Sequence, residues 1–233
     1  MPSPLPTLLG LLALGAPAWA QDPAVAAEPV ATPITAPVRL AEGERPTIDG
    51  KLDEPLWQRV PPIGALTQVT PDEGEPPTQR TEVRLAFDEQ ALYVAIACYD
   101  DDVATLRATQ RRRDANLDPD DSIELLLDPF LDRRNAFWFQ IGPGGARGDA
   151  LIIENGSSFN KRWDAIWSGR TVTTDEGWFA ELELPFASLN FDAEVSAWGF
   201  NFRRYIRRRD EEARWSSPNR NTRFFSVAQA GTI

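Results

Sequence analysis

Apolar side chains recur at every second position through much of this chain, and this period of two is the feature that most constrains its fold. Val83, Leu85 and Phe87 alternate with polar neighbours, and a second alternating run begins at Leu92 after the short connection 88–90. Successive side chains of a β-strand point to opposite faces, so this alternation is typical of strands. The spacing of the two runs predicts a β-hairpin over residues 81–99.

Further strand-like runs follow along the chain, and turn signals such as Asn155-Gly156 separate them. These runs are 122–128, 136–142, 149–153, 170–174, 177–184 and 197–204. Only two stretches, 103–113 and 186–190, have room for a helical turn or two. Many short strands with regular turns predict an all-β protein, an antiparallel sandwich or barrel.

The N-terminal region predicts export. Residues 8–16, LLGLLALGA, form an apolar run that is too short to span a bilayer, and Ala18-Trp19-Ala20 fits a cleavage site. The preceding residues carry no Lys or Arg, which departs from the usual signal pattern. We therefore expect a signal peptide over 1–20, an Ala/Pro-rich linker over 21–37 and a β-sandwich over 38–228, in the periplasm, on the outer membrane surface or outside the cell.

Composition excludes several classes of function. The formal net charge is −11, which argues against nucleic acid as a partner. The chain has no His, so Ser-His and Cys-His catalysis and His ligation of zinc or haem are excluded. Cys98 is the only cysteine, so no internal disulfide forms, and we interpret it as a small buried apolar residue.

Six stretches in a fixed order resemble carbohydrate-binding module family 9, within the DOMON-like β-sandwich group. They are 48–57 IDGKLDEPLW, 81–99 TEVRLAFDEQALYVAIACY, 121–128 DSIELLLD, 177–186 GWFAELELPF, 198–204 WGFNFRR and 215–218 WSSP. The resemblance covers about residues 38–225 and implies an antiparallel sandwich of the immunoglobulin or jelly-roll kind. It also implies a non-catalytic module that holds the end of a glycan between two Trp rings, with polar side chains on the sugar hydroxyls.

The resemblance also implies particular polar contacts on the concave sheet. The glutamate of the family motif matches Glu124, a family arginine falls at Gln140, and Asn219 lies in the loop that supplies another polar contact. The two sandwiching tryptophans have no counterpart here, because their positions fall at Asp118 and Arg223.

Other aromatic residues are candidates to replace the missing rings. Trp138 shares a strand face with Gln140, Trp163 lies in KRWDAIW, and Phe224 stands beside the position of the second family tryptophan. We expect Trp138, Trp163 or Phe224 to supply the stacking surface. A different set of tryptophans lies within the strand motifs and is expected in the core: Trp57, Trp178 and Trp198.

The acidic stretch 118–129, DPDDSIELLLDP, allows three interpretations. It does not match the helical calcium-binding loop, because Ile123 occupies the position of its glycine and Pro129 that of its last ligand. An irregular structural calcium site stays open, also at Asp100-Asp101-Asp102, but we expect no other cofactor. No carboxylate pair of the glycosidase kind is marked out, so no catalytic site is identified.

The favoured interpretation of this stretch is a β-strand. Leu125 and its two alternating neighbours, Ile123 and Leu127, then face the core, and Glu124 and Leu126 face the other side. The aspartates before the strand are expected to form a solvated turn: Asp118, Asp120 and Asp121.

The basic run 203–209 is followed at once by Asp210-Glu211-Glu212. In an acidic, exported chain this pattern predicts surface charges that pair with each other rather than a site for nucleic acid.

Two functions remain open. The first is a non-catalytic glycan-binding module associated with polysaccharide breakdown by glycoside hydrolases. The second is a structural sandwich that packs on a β-rich outer-membrane partner and binds no sugar. A haem module is disfavoured, because the chain has no His and its only Met is Met1.

Overall fold

The computed structural model describes Met1 and residues 32–233. Apart from Met1, the predicted signal peptide 1–20 and residues 21–31 of the predicted linker lie outside the described residues. The strands are β1 Val38–Arg39, β2 Thr67–Thr70, β3 Thr81–Phe87, β4 Ala91–Tyr99, β5 Ser122–Asp128, β6 Ala136–Ile141, β7 Arg147–Ile153, β8 Ser158–Asn160, β9 Ser168–Thr173, β10 Gly177–Pro185, β11 Gly199–Ile206, β12 Glu211–Arg214 and β13 Gly231–Thr232. The helical segments are α1 Pro55–Arg59 and the 3₁₀ turns Val103–Thr105, Phe186–Ser188, Arg207–Arg209 and Val227–Gln229.

The strands form two sheets. A five-stranded sheet has the order β1-β3-β4-β10-β9, and an eight-stranded sheet has the order β2-β12-β11-β5-β6-β7-β8, with β13 paired to β11. All of these pairings are antiparallel except that of β1 with β3. The all-β antiparallel sandwich expected from the period of two is confirmed.

The predicted hairpin 81–99 is confirmed as β3 and β4. Its connection is closed by Asp88, whose Oδ1 accepts hydrogen bonds from the backbone N–H groups of Gln90 and Ala91 at 2.6 and 2.9 Å. A short side chain that accepts bonds from the backbone two and three residues ahead stabilises such a turn.

The main core lies between the two sheets. Ile123, Leu125 and Leu127 of β5 belong to it, which confirms the core face predicted for this strand. Phe139 from the neighbouring strand and Trp178 from the other sheet pack into the same cluster. These side chains alternate with residues that face away from the core, and the second set forms the candidate site described below.

A second core covers the opposite face of the five-stranded sheet. Leu56 and Trp57 of α1 pack there on Tyr93 and Ala95 of β4. Strand β4 is thus apolar on both faces, and eight of its nine residues are buried. The fully buried Glu181 on β10 anchors the segment before α1, because its carboxylate accepts hydrogen bonds from Trp57 Nε1 and from the backbone N–H groups of Asp49 and Gly50, at 2.8, 3.0 and 3.0 Å.

The aspartates before β5 differ from the prediction of a solvated turn. Asp118 is exposed, but Asp120 and Asp121 are buried. Asp120 accepts hydrogen bonds from Thr109 Oγ1 and the Gln110 N–H, and Asp121 accepts them from two backbone N–H groups, those of Arg107 and Arg207. The prediction was wrong for these two residues. Their carboxylates are turned inward because they accept hydrogen bonds from groups of neighbouring loops.

The basic run 203–209 pairs with acidic residues as expected, but much of it is not at the surface. Arg204 is only 2% exposed and donates to the backbone carbonyl oxygens of Arg80 and Tyr99. Arg208 contacts buried Asp100 at 2.6 Å. These arginines serve as internal connections between the two sheets and their loops.

Among the tryptophans expected in the core, Trp57 and Trp178 are buried and Trp198 is half-buried at its edge. Cys98 is buried as expected, and burial raises the pKa of its thiol to about 12. Within residues 32–233, no helix has the length and apolar character needed to cross a membrane.

Candidate functional site

The candidate site lies on the face of the eight-stranded sheet that is turned away from the core, here called the outer face. The strand register brings its polar residues side by side, because Glu124 of β5 stands opposite Gln140 of β6 on one side and Arg203 of β11 on the other. Each of these residues alternates with a core residue of its strand, so all three side chains point the same way.

Glu124 is the centre of the hydrogen-bond network on the outer face. Its Oε2 accepts bonds from Trp138 Nε1 at 2.6 Å and Arg203 Nη2 at 2.8 Å, and its Oε1 accepts from Gln140 Nε2 at 3.2 Å. The residue is 4% exposed, and Trp138 and Gln140 are also buried. Three donors, one of them charged, offset the desolvation of this carboxylate.

Arg203 joins Glu124 to a second buried carboxylate. Its Nη1 lies 3.3 Å from Glu212 Oε1, and the hydroxyl of Tyr205 donates to Glu212 Oε2 at 3.0 Å. Burial lowers the pKa of Arg203, but the charge of Glu124 and further contacts outweigh it and the pKa is raised. Burial raises the pKa of Glu212, but the charges of Arg203 and Arg214 hold it below its usual range.

The network continues to the loop that follows β12. Arg214 Nε donates to Glu212 Oε1 at 2.5 Å, and Arg214 Nη1 donates to the backbone oxygen of Asn219 at 3.4 Å. Asn219 is half-buried and is thus linked to Glu124 through a chain of ion pairs. Its contribution to this chain comes from its backbone carbonyl rather than its side-chain amide.

Aromatic rings surround Arg203. Its guanidinium lies 4.6 Å from the ring centre of Tyr205 and 4.5 Å from that of Phe224. Phe224 is only 2% exposed and packs in one cluster with Trp138 and Leu126. These rings hold the guanidinium in place, and Phe224 itself offers almost no surface to a ligand in this conformation.

Two rings that were not predicted reach the surface of the outer face. Phe159 of β8 is 36% exposed, Phe225 is half-buried, and their ring centres are 5.0 Å apart. Phe159 also meets Trp138 edge-on at 5.0 Å. Phe225 directly follows Phe224 in the sequence. The predicted ring, Phe224, is buried, and the ring of the next residue, Phe225, is the accessible one. The sequence signal for Phe159 is its place in a short strand after the Asn155-Gly156 turn.

Trp163 lies on the other side of the sheet. Its ring centre is 4.8 Å from that of Phe137 and 6.2 Å from that of Phe139, and it packs against the main core. The structure therefore brings Glu124, Gln140 and Trp138 into direct contact. Phe224 packs on Trp138, Asn219 is connected to Glu124 only through a chain of three residues (Arg214, Glu212 and Arg203), and Trp163 is not part of the group.

The contacts of the Glu124 carboxylate are internal, since both of its oxygens accept hydrogen bonds from side chains of the sheet. In the described part of the chain, no three His, Cys, Asp or Glu side chains are grouped so that they could hold a metal ion.

Comparison with known proteins gives one family and a set of similar folds. The model of the family described as carbohydrate family 9 binding domain-like matches residues 48–226. No curated protein matches the chain.

The similar solved structures include carbohydrate-binding modules of family 9 from Caldicellulosiruptor kristjanssonii. One, in complex with cellotriose, has 18% identity and a TM-score of 0.58, over 84% of this chain and 90% of that one. Another, in complex with glucose, has 18% identity and a TM-score of 0.57, over 85% and 94%. A protein from Bacteroides uniformis ATCC 8492, proposed to bind carbohydrate, has 12% identity and a TM-score of 0.66, over 87% and 98%. At these identities the likeness shows the fold alone.

Proposed function

Because the chain belongs to the carbohydrate family 9 binding domain-like family, we propose that it is a non-catalytic module that binds a saccharide on the outer face of its eight-stranded sheet. Modules of similar fold are known with cellotriose and with glucose, which supports a neutral, glucose-based oligosaccharide as the first ligand to test.

The observation that carries this proposal is the pair of accessible rings formed by Phe159 and Phe225. A pyranose ring has apolar C–H faces, and these pack well on aromatic side chains. The two family tryptophans are missing at Asp118 and Arg223, so this pair supplies the apolar surface that a saccharide needs.

The polar network beside these rings supports the same proposal. Arg203 lies 5.2 Å from the ring centre of Phe225; its side chain keeps a small exposed fraction of 11%, and Tyr205 is half-buried. Guanidinium and phenol groups donate hydrogen bonds to sugar hydroxyls, and a phenol also accepts them. Glu124 and Glu212 hold both side chains in place, so little side-chain entropy is lost when a ligand binds.

The same proposal extends to the setting of the module. The family resemblance supports a role in polysaccharide breakdown beside glycoside hydrolases, and the apolar N-terminal run supports export to the periplasm, the outer membrane surface or the medium.

The second candidate is a structural sandwich that binds no sugar and packs on a β-rich partner. The burial of the outer face favours it: Glu124, Gln140, Trp138 and Phe224 are each at most 6% exposed. In this alternative the network around Glu124 serves only to stabilise the sheet.

Calorimetric titration of the purified protein with cello-oligosaccharides separates the two candidates. We expect binding, and we expect Phe225→Ala and Phe159→Ala each to weaken it about tenfold or more, since ring–saccharide stacking and buried apolar area are lost. Phe191→Ala is the matched control, because Phe191 is 42% exposed and packs at a different place, against Phe186 and Trp198.

A folded protein that binds no oligosaccharide on a broad glycan array would favour the structural candidate. Binding that persists unchanged in the Phe159 and Phe225 variants would place the saccharide elsewhere on the molecule.

A further inference from the structure

A separate polar cavity of about 390 Å³ lies between the turn that joins β6 to β7, the edge strand β9 and the segment before β5. Three arginines line it, Arg111, Arg147 and Arg170, together with Gly144, Gly145 and Thr171. None of the residues of the predicted site lines this cavity. It is therefore distinct from the outer-face site.

The walls of the cavity are held together by close backbone contacts. A Cβ at Gly144 would stand 2.4 Å from the carbonyl oxygen of Gln110, so the absence of a side chain there lets the segment with Arg111 approach the β6–β7 turn. On the other side, Thr171 Oγ1 donates to the carbonyl oxygen of Pro143 at 3.2 Å and joins β9 to the same turn.

No acidic side chain is among the residues that line this cavity. The Nε atom of Arg147 is buried without a hydrogen-bond partner. Arg111 and Arg170 form no ion pair with an acidic side chain of residues 32–233. Three neighbouring arginines without an ion-pair partner in residues 32–233 are unusual in a chain whose formal net charge is −11.

The nearby carboxylate of Asp149 is held by donors other than the three arginines of the cavity. Asp149 Oδ2 accepts bonds from Arg113 Nη2, the Ala165 N–H and Trp167 Nε1, at 2.9, 2.9 and 3.0 Å. Burial lowers the pKa of Arg147, the charges of Arg113 and Arg170 add to this effect, and the opposite charges of Asp149 and Asp114 offset only part of it.

We propose that this cavity binds an oxyanion group, a carboxylate or a sulfate, between Arg111, Arg147 and Arg170. A guanidinium presents a planar set of donors that matches the two oxygens of such a group. An anion here would reduce the repulsion among the arginines and accept hydrogen bonds from their guanidinium groups. The proposal goes beyond the neutral-saccharide function, because it concerns a different face and a charged ligand group.

The test is calorimetric titration at low ionic strength with three probes: glucuronate, its neutral counterpart glucose, and inorganic sulfate. We expect glucuronate to bind, and the double variant Arg111→Ala/Arg170→Ala to weaken this binding at least tenfold, since two charge-assisted contacts are lost. Both arginines are exposed, so the variant should fold, which circular dichroism checks. Arg134→Ala changes the charge at an exposed arginine on the opposite end of β6 and should have no effect.

Binding of glucuronate alone would assign the cavity to a sugar acid, and binding of sulfate as well would show that the oxyanion group is sufficient. The proposal is overturned if neither anion binds, if the double variant loses as much affinity for glucose as for glucuronate, or if the double variant binds glucuronate as the unaltered protein does. Titrations of the same variants with cello-oligosaccharides test the outer-face proposal independently. A variant that still binds cello-oligosaccharides but not glucuronate leaves that proposal untouched.

Discussion

Glu124 and Arg203 face each other across the β5–β11 pair, with 2.8 Å between Glu124 Oε2 and Arg203 Nη2, and both side chains are largely withdrawn from water. The ion pair is the midpoint of a polar network that runs across the outer face into the loop after β12. Its geometry fits two uses, which are stabilisation of the sheet and preparation of a rigid surface for a ligand.

Replacing Glu124 with alanine should destabilise the protein by roughly 3–5 kcal/mol, because Arg203 is then buried beside only one remaining carboxylate and Trp138 and Gln140 lose their acceptor. Equilibrium denaturant unfolding measures this change. Glu89→Ala is the matched control, since it removes an exposed ion pair with Arg39 at 3.4 Å and should cost at most about 1 kcal/mol. Equal costs for the two variants would contradict a structural role for the buried pair.

The stability of the fold should depend on pH through Glu181. Burial raises the pKa of this carboxyl group from its ordinary value of 4.5 to about 7, although three hydrogen bonds act in the opposite direction. Between about pH 4.5 and 7, the native protein therefore keeps a proton on Glu181 that the unfolded chain has already released. The free energy contributed by this group is fully present below pH 4.5 and is lost as the pH rises through 7.

The variant Glu181→Gln does not titrate, so its difference in unfolding free energy from the unaltered protein should change between pH 4.5 and 7.5. Because the unaltered protein loses stability as the pH rises, the unfolding free energy of the variant should increase relative to that of the unaltered protein toward the upper end of this range. Denaturant unfolding at several pH values measures the difference. Curves that stay parallel throughout would show that Glu181 keeps an ordinary pKa.

Trp163→Ala should lower stability without lowering saccharide affinity. Trp163 is half-buried against Phe137 and Phe139 on the core side of the sheet, so its loss should cost about 2 kcal/mol or more. Thermal unfolding and calorimetric titration of one preparation measure both effects. A fall in affinity in the folded variant would support the sequence-based assignment of Trp163 to the ligand site instead.

Gly177 begins β10 at a place where no side chain fits. Its φ is +144° and an added Cβ would lie 2.2 Å from the carbonyl oxygen of Cys98, so Gly177→Ala should cost more than about 2 kcal/mol. Gly74→Ala is the comparison, because Gly74 has φ +89° but open space around it, and only the backbone strain of about 1 kcal/mol applies. Urea unfolding of both variants separates steric overlap from strain, and similar losses would mean that the β4–β10 pair moves apart to accept a methyl group.

The longer strands were predictable from the sequence because the apolar residues on at least one face of each lie in the core. The alternation in β5 predicted both the core residues Ile123 and Leu125 and the outward direction of Glu124. Five strands of residues 32–233 were missed: β1, β2, β8, β12 and β13. In β12, Glu211 and Glu212 look like solvated charges in the sequence. Both are buried: Glu211 accepts hydrogen bonds from Thr78, which is distant in the chain, and Glu212 accepts them from Arg203 and Tyr205 of the paired strand β11. The local sequence pattern of β12 does not report these pairings.

The candidate site was predictable only in part, for the same physical reason. The period of two placed Glu124, Trp138 and Gln140 on one side of the sheet, but it says nothing about what covers that side. The segment with Phe224 and Phe225 folds over Trp138, so one ring is buried and the next remains accessible. Which of two adjacent aromatic residues reaches solvent depends on that loop and not on the strand pattern.

The pairing of β4 with β10 also has a consequence during synthesis. Trp178 stands opposite Cys98, and β5 to β9 lie between these two strands in the chain. Until β10 has been synthesised, β4 has one unpaired edge and two apolar faces. This combination promotes aggregation. A nascent or truncated chain that ends before Gly177 is therefore expected to need a chaperone, and the sandwich forms only when most of the polypeptide has emerged.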